Sequence, residues 1–329
     1  MSSKHAPRWL VILSFAAIYL IWGSTYLGIG LAVQSMPPHI MAAIRFLISG
    51  AVLYAFMRWR GVAAPKWNHW RSALIIGIFL LGLGNGSVAW AETMIPTGLA
   101  ALMIAITPLW MVLMEALRPG GHKPHGGIFI GITLGLAGML LLIGPAALGF
   151  ERPLNLLGVA IILSASLSWA FGSIYSRHAQ LPESPLLLTG MEMLLGGVFL
   201  LGMSVVFGEW NEFHFAQVTT ISWLALAYLI LIGSFLGFSA YVFLLQVSTP
   251  AKVSTYAYVN PVVAVFLGWA LNGEQITPIT FVASAVIVVG VAIITYFNTR
   301  PQAKRAAPPA MEPERAARVA LDEPNTAHH

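Results

Sequence analysis

Two charged residues, Arg45 and Glu192, each lie inside a long apolar stretch of the chain. Arg45 stands between AAI and FLISG, and Glu192 lies within TGMEMLLGG. A charge at the centre of a membrane helix costs roughly 2.5–3.5 kcal/mol on the insertion scale, so it marks a structural or functional site. Two interpretations are open. The residues form a structural pair or separate polar anchors, or they line a cavity and bind a charged group or exchange a proton there.

A second polar interruption occurs in IWGSTYLGIG, residues 21–30. Hydroxyl groups in such a stretch need partners within protein or a wet cavity. Further along the chain, Tyr256 and Asn260 are four residues apart and share one helix face. Our predicted cavity-lining residues are Trp22, Ser24, Thr25, Arg45, Trp169, Glu192, Tyr256 and Asn260. An aromatic chamber that also includes Trp90, Trp110 and Tyr175 is a further expectation.

Two prolines, Pro108 in AITPLWM and Pro261 in YVNPVVAV, fall in the middle of apolar stretches. A proline inside a helix removes one hydrogen bond and bends the helix. We therefore predict helix kinks at both positions. The preceding residues, Thr107 and Asn260, are placed to bond the freed groups or to line a path, and a purely structural kink is the alternative.

The composition predicts a membrane protein and excludes several other classes. Hydrophobic residues make up 58% of the 329 residues and charged residues only 9%, whereas soluble domains carry about 25% charged residues. The chain has no cysteine, and its only aspartate is Asp322. No nucleotide-binding, zinc-protease or serine-protease motif is present. We therefore predict no catalytic residue, cofactor or metal, and no nucleic-acid partner, because the basic residues lie between apolar stretches.

Ten apolar stretches have the length of a helix that crosses a bilayer core about 30 Å thick. These predicted spans are 9–33, 38–57, 72–92, 97–117, 126–144, 154–177, 184–207, 221–246, 251–271 and 278–298. Their continuous hydrophobicity argues against a β-barrel, whose strands alternate. The first stretch is too long for a cleaved signal peptide. Residues 1–8 and 299–329 flank the spans, and the second of these segments is predicted to be disordered because it is rich in Pro, Ala and charge.

The loop charges predict the orientation of these spans. With the N-terminus inside, fifteen of the seventeen Lys and Arg residues fall on the cytoplasmic side, and only Arg152 falls on the other. The remaining one, Arg45, lies within a span. This strong asymmetry follows the positive-inside rule. It predicts a multi-pass protein of the cell (inner) membrane, with both termini in the cytoplasm.

The two halves of the chain resemble each other. The offset is 147 residues at first and about 153 further on, as one change in loop length would produce. The matching pairs are Trp22 and Trp169, Pro38 and Pro185, Arg45 and Glu192, Gly50 and Gly197, and Pro108 and Pro261. Because five helices is an odd number, the second half must enter the membrane with opposite polarity. The sequence thus predicts an inverted repeat with units 9–144 and 154–298, a construction used by secondary transporters.

Three regularly spaced glycines and two glutamates near predicted helix ends give further predictions. Gly127, Gly131 and Gly135 recur every four residues and form a ridge on which another helix can pack closely. Packing within the chain is the expected use of this ridge, and a homodimer seam is the alternative. Glu92 and Glu115 lie near predicted helix ends, so we expect them to be solvated.

With these residues in view, the sequence resembles the EamA family of the drug/metabolite transporter superfamily over about residues 9–298. The resemblance rests on IWGSTY at 21–26, PPHIMAAIRFLISG at 37–50, GNG at 84–86, AE at 91–92, SWAFGSIY at 168–175, EMLLGG at 192–197 and STYAYVNPVVAVFLGWALNGE at 254–274. One departure is Gly120–Gly121, where the first repeat lacks the acidic residue that follows Gly273 in the second.

The resemblance implies an all-α integral membrane protein of ten helices with a central cavity formed by helices 1–4 and 6–9. It implies a carrier that exports small organic metabolites, amino acids or drugs by alternating access, with protons as the coupling ion. A membrane-embedded enzyme or a non-transporting scaffold or receptor is the alternative. The enzyme lacks a catalytic constellation, and the scaffold has no need of mid-span prolines or intramembrane charges.

Overall fold

The computed structural model describes residues 7–117, 126–147, 155–248, 253 and 256–298. The regular secondary structure of these residues is helical, with no strand among them, so the all-α class is confirmed. The predicted disorder of 299–329 and the departure at Gly120–Gly121 lie outside the described residues, as do Arg152 and most of segment 1–8.

The α-helices of the described residues are named here in chain order. They are α1 (Arg8–Ala32), α2 (Pro38–Trp59), α3 (Trp67–Ile76), α4 (Ser87–Ala91), α5 (Thr97–Ile104), α6 (Thr107–Leu117), α7 (Gly126–Ala147), α8 (Leu156–Ser176), α9 (Pro185–Val206), α10 (Thr220–Tyr228), α11 (Gly237–Val247), α12 (Tyr256–Asn272) and α13 (Pro278–Asn298). Two π-helical segments, Gly77–Gly86 and Leu229–Leu236, join α3 to α4 and α10 to α11.

Local sequence explains where several helices begin. Proline is the first residue of α2 and α9, where its missing N–H has no helical partner to lose. Asn155 caps α8 by accepting hydrogen bonds from the backbone of Leu157 and Gly158. Ser184 caps α9 in the same way through the Leu187 amide.

Seven helical stretches of the described residues are long and apolar enough to cross a membrane. They are Arg8–Ala32, Pro38–Trp59, Trp67–Ala91, Thr97–Leu117, Leu156–Ser176, Pro185–Val206 and Thr220–Tyr241. The other three predicted spans correspond to shorter apolar stretches at Gly126–Gly138, Val259–Asn272 and Pro278–Ile294. Large apolar side chains such as Leu13, Val206 and Phe281 are more than half exposed, which fits an outer surface that faces lipid.

In two helix pairs, glycine residues allow the two backbones to approach closely. In the first, α2 crosses α9, and methyl groups at Gly50 and Gly190 would lie 2.6 and 2.9 Å from backbone nitrogens of the facing helix. In the second, α7 packs against α13, and a methyl group at Gly131 would lie 2.6 Å from the Gly290 carbonyl oxygen. The glycine ridge of α7 therefore packs within the chain, as expected.

The first helices of the two halves make similar contacts. α1 packs against α12 and α11, whereas α8 packs against α5, α6 and the first π segment. Trp22 of α1 lies against Gly237, where an added methyl group would be 2.6 Å from its Nε1. Trp169 of α8 lies against Gly84, where the corresponding distance to Cε3 is 3.0 Å. Each tryptophan thus packs on a glycine of the π-containing stretch in the other half.

The two mid-span prolines have different surroundings. The helix is interrupted at Ala105 and Ile106, and α6 resumes at Thr107, so Pro108 lies in the first turn of a new helix. Thr107 donates its hydroxyl to the Ile104 carbonyl across this break, at 2.6 Å. Pro261 instead lies inside α12, which continues on both sides of it.

Candidate functional site

Arg45 lies in the interior of the bundle with most of its donors unused. Arg45 is only 5% exposed to solvent. Its Nε donates to Ser234 Oγ of the second π segment at 3.2 Å. The guanidinium carbon lies 4.9 Å from the centroid of the Phe46 ring. Neither Nη atom has a hydrogen-bond or ion-pair partner among the described residues. Four N–H donors are therefore available to a bound group or to water.

Glu192 is the second charged residue inside a predicted span. It is partly buried, and its carboxylate makes no hydrogen bond or ion pair within the described part of the chain. Tyr241 of α11 lies close enough to interact with it electrostatically.

Arg45 and Glu192 do not pair, and the register of their helices explains why. Gly50 faces Gly190 and Leu194, whereas Leu47 faces Gly197, so α2 and α9 run antiparallel. Arg45 is therefore level with a residue about seven positions beyond Glu192, which at 1.5 Å per residue separates the two by about 10 Å along the helices. The structural pair considered from the sequence is not formed.

Trp22 is surrounded by aromatic rings from the second half. Its ring centroid lies 4.9 Å from that of Tyr256, 5.0 Å from that of Tyr241 and 5.4 Å from that of Phe238. Tyr241 also interacts electrostatically with Glu192 and Arg177. The cluster thus extends from α1 toward the unpaired carboxylate of α9.

Ser24 and Thr25 direct their hydroxyls partly to their own helix. Ser24 Oγ lies 2.7 Å from the Leu20 carbonyl, and Thr25 Oγ1 donates to the Trp22 carbonyl at 2.7 Å. Ser24 also reaches across the bundle, because the Tyr228 hydroxyl lies 2.5 Å from its Oγ. The Ser24 hydroxyl therefore donates to the backbone and accepts from Tyr228.

Asn260 joins α12 to α1. With its amide nitrogen facing the two carbonyls, it donates to Tyr256 O at 3.1 Å and to Tyr19 O at 3.3 Å. The residue is 8% exposed. Asn260 therefore positions α12 against α1 immediately before Pro261.

The expected aromatic chamber is divided among different neighbours. Trp110 donates its Nε1–H to Ser166 at 2.9 Å. Trp90 lies beside His39 and Phe207, with ring centroids at 5.8 and 4.9 Å. Tyr256 belongs to the Trp22 cluster instead. The rings expected in one chamber therefore have different neighbours, and the chamber itself stays a prediction.

Sequence reasoning missed a cavity at the end of the bundle where α1 ends and α2 begins. Its volume is about 480 Å³, and its lining includes His39, Trp90, Thr93, Phe207 and Glu209. Glu209 is buried and accepts hydrogen bonds from the His39 and Ile40 amides at the start of α2. Its Oε1 also lies 2.6 Å from His39 Nδ1. One wall of the cavity is the short loop after α9 that carries Glu209. The sequence of this loop resembles that of an ordinary solvent-exposed connection.

Sequence reasoning also misplaced Glu92. The expectation of a solvated helix end is wrong, since Glu92 is only 8% exposed and both of its carboxylate oxygens are buried without a hydrogen bond. Glu274, which the sequence showed only as the end of NGE, lies close enough to interact with it. No local signal in the sequence reveals this contact, because the two residues are far apart along the chain.

The fold defines a multi-pass membrane protein with two charges inside its helices that have no ion-pair partner among the described residues. The sequence profile of the EamA-like transporter family matches residues 9–144 and again 156–296. The chain therefore belongs to the EamA-like transporter family.

Several proteins are similar to it. The uncharacterized inner membrane transporter YedA of Escherichia coli K12 is 40% identical over 281 residues, which cover 85% of this chain and 88% of YedA. The uncharacterized transporter YvbV of Bacillus subtilis is 24% identical over 92% of this chain and 96% of its own length. A solved crystal structure covers 90% of this chain and 100% of its own, with a TM-score of 0.61 and 23% identity, and so shares the fold.

Proposed function

We propose that this protein is a secondary active transporter that exports small organic solutes, such as amino acids, metabolites or drugs, across the inner membrane. The observation that carries the proposal is that Arg45 and Glu192 have no ion-pair partner among the described residues of a chain of the EamA-like transporter family. Burying a charged side chain without a counter-charge costs free energy, so a charge kept inside a membrane helix indicates a functional site. The name of YedA supports placement in the inner membrane.

The proposed architecture is ten membrane-spanning helices in two inverted repeats, 9–144 and 154–298, with both termini in the cytoplasm. The double match of the family profile supports the two units. The similar packing of α1 and α8, and the two π segments 152 residues apart, support the internal symmetry. The distribution of basic residues supports the orientation.

The proposed transport path runs between the two repeats. Its walls would include the eight residues predicted from the sequence, with Arg45 and Glu192 as the charged contacts. A solute with an anionic group would use the free donors of Arg45, and one with an amine would use Glu192. The proposed kinks at Pro108 and Pro261 would let the half-bundles rock around this path, and protons would drive the exchange.

The test is flux into proteoliposomes with two probes, a radiolabelled amino-acid mixture and the fluorescent cation ethidium. We expect Arg45→Ala and Glu192→Gln to lower the initial rate for the transported probe about tenfold to a hundredfold, the value of a hydrogen bond to a charged group. Arg60→Ala and Glu183→Gln are matched controls, because both residues are exposed. Unchanged flux in both site variants would remove these residues from the path. Absence of flux in wild-type protein for every solute tried would favour the enzyme or scaffold alternative.

A further inference from the structure

Two carboxylates interact near the end of α4, that of the buried Glu92 and that of the partly buried Glu274, and among the described residues only Glu274 is hydrogen-bonded. Glu274 Oε1 accepts from the Thr97 amide at 2.8 Å and from the Thr97 hydroxyl at 2.6 Å. Its Oε2 accepts from the Gly98 amide at 3.0 Å, and Asn272 Nδ2 lies 3.3 Å from Oε1. Glu274 therefore occupies the N-terminus of α5, where the helix dipole also favours a negative charge.

Glu92 has none of these partners. Both of its oxygens are buried, and neither accepts a hydrogen bond from the described residues. The Gly30 backbone of α1 approaches it, and a methyl group there would lie 3.3 Å from Oε2. The Gly30 amide faces the carboxyl group without meeting the geometry of a hydrogen bond. An ionised carboxylate in this position would have neither solvent nor a formed hydrogen bond to stabilise it.

Among the described residues, the groups around Glu92 supply no counter-charge. Tyr26 of α1 and Glu274 interact with it electrostatically. On α2 the neighbouring titratable residue is His39, which contacts Trp90 but is bonded to Glu209. The part of α8 packed beside this region, around Gly158, carries no titratable side chain. When two carboxylates share a site, the one without hydrogen bonds is the one that keeps a proton.

We propose that Glu92 is the proton-binding residue of the transport cycle, beside the hydrogen-bonded carboxylate of Glu274. This inference rests on the proposed function, since it names the coupling site of that transporter. A proton is favoured over a metal cation because the oxygens of Glu274 are already used and the Gly30 amide is a donor, which leaves no cage of oxygen ligands. The carboxylic acid of Glu92 releases its proton to water and becomes a carboxylate. The carboxylate then takes up a proton from water and becomes the acid again.

The cavity next to α2 lies beside the turn that follows α4 and carries Glu92. It is lined by Trp90 and Thr93, which stand close to Glu92 in the sequence on either side of it. Thr93 is exposed, whereas the Glu92 oxygens are buried. In this proposal water reaches Glu92 from that cavity, through the turn between α4 and α5.

The direct test is infrared difference spectroscopy of the purified protein in lipid nanodiscs during a pH titration. Wild-type protein should show a protonated-carboxyl band at neutral pH, and Glu92→Gln should lose a part of it equal to one carboxyl group. Glu183→Gln, at an exposed position, should keep the whole band. Because Glu192 is also unpartnered, the comparison is repeated in a Glu192→Gln background. An unchanged band in Glu92→Gln, or a band that responds to sodium rather than to pH, overturns the proposal.

A second measurement separates this proposal from the proposed function. In proteoliposomes with the radiolabelled amino-acid mixture or ethidium, a gradient of one pH unit supports about tenfold accumulation per proton exchanged. Glu92→Gln should reduce this accumulation to none, and Glu183→Gln should not. Wild-type protein without flux but with the Glu92 band would contradict the transport function and leave the proton site standing. Accumulation that persists in Glu92→Gln would refute the coupling role. Thermal unfolding checks that the variant is folded, and glutamine, as the neutral isostere, should match wild-type stability at low pH.

Discussion

At the scale of single residues, a glycine decides how closely α1 approaches α12. A methyl group at Gly23 would lie 2.6 Å from the Cβ of Val263 and 3.2 Å from the Asn260 carbonyl oxygen. Such distances are too short for unstrained contact, so no larger side chain fits without moving one helix. Gly23 therefore holds the Trp22 cluster and the Asn260 contacts in place together.

Gly23→Leu should abolish transport without preventing insertion into the membrane. The leucine would push α1 away from α12 and displace Trp22 and Ser24 from their partners. Flux in proteoliposomes and the amount of protein in the membrane fraction measure the two effects. Gly202→Leu is the control, because nothing lies within 4 Å of an added methyl group there and the residue is exposed. Normal flux in Gly23→Leu would show that the close approach is dispensable.

At the scale of elements, α7 and α13 form a closely packed pair that carries none of the predicted cavity-lining residues. Their contact is built on small residues, with Gly131 against Gly290 and Gly138 against Ile287. Helices in lipid associate mainly through such close packing, because the hydrophobic effect does not favour association between them. This pair should therefore act on stability more than on solute recognition.

Two alanine substitutions one turn apart in α7 test this view. Gly131→Ala should destabilise the protein by about 1–3 kcal/mol, the usual cost of overpacking, because its methyl group meets the Gly290 carbonyl. Gly135→Ala meets nothing within 4 Å and should be neutral, or stabilising by up to about 1 kcal/mol through helix propensity. Thermal unfolding in detergent compares the two. Equal melting temperatures would mean that the two helices separate easily at this point.

At the scale of the whole molecule, the sequence predicts what depends on local composition and fails where distant segments meet. Hydropathy located the apolar helices, and the glycine spacing of α7 correctly indicated packing within the chain. The position of Glu274 near Glu92 escaped because a left-handed turn at Gly273 brings Glu274 back toward α5. The sequence also does not predict the distance between Arg45 and Glu192. Matching positions in the two halves carry no information about the register in which α2 packs against α9.

The proposed topology makes a prediction about the whole chain that its lack of cysteine renders simple to test. Single cysteines are introduced at Ala63, between α2 and α3, and at Gln217, between α9 and α10, both of which are exposed. With the N-terminus in the cytoplasm and ten spans, Ala63→Cys faces the cytoplasm and Gln217→Cys faces the opposite side. A membrane-impermeant maleimide applied to intact cells should then label only Gln217→Cys, and disruption of the membrane should expose both. Labelling of both residues in intact cells, or the reverse pattern, would contradict the predicted orientation. Labelling of neither before disruption but both after would place them on the same side, which an odd number of spans between them forbids.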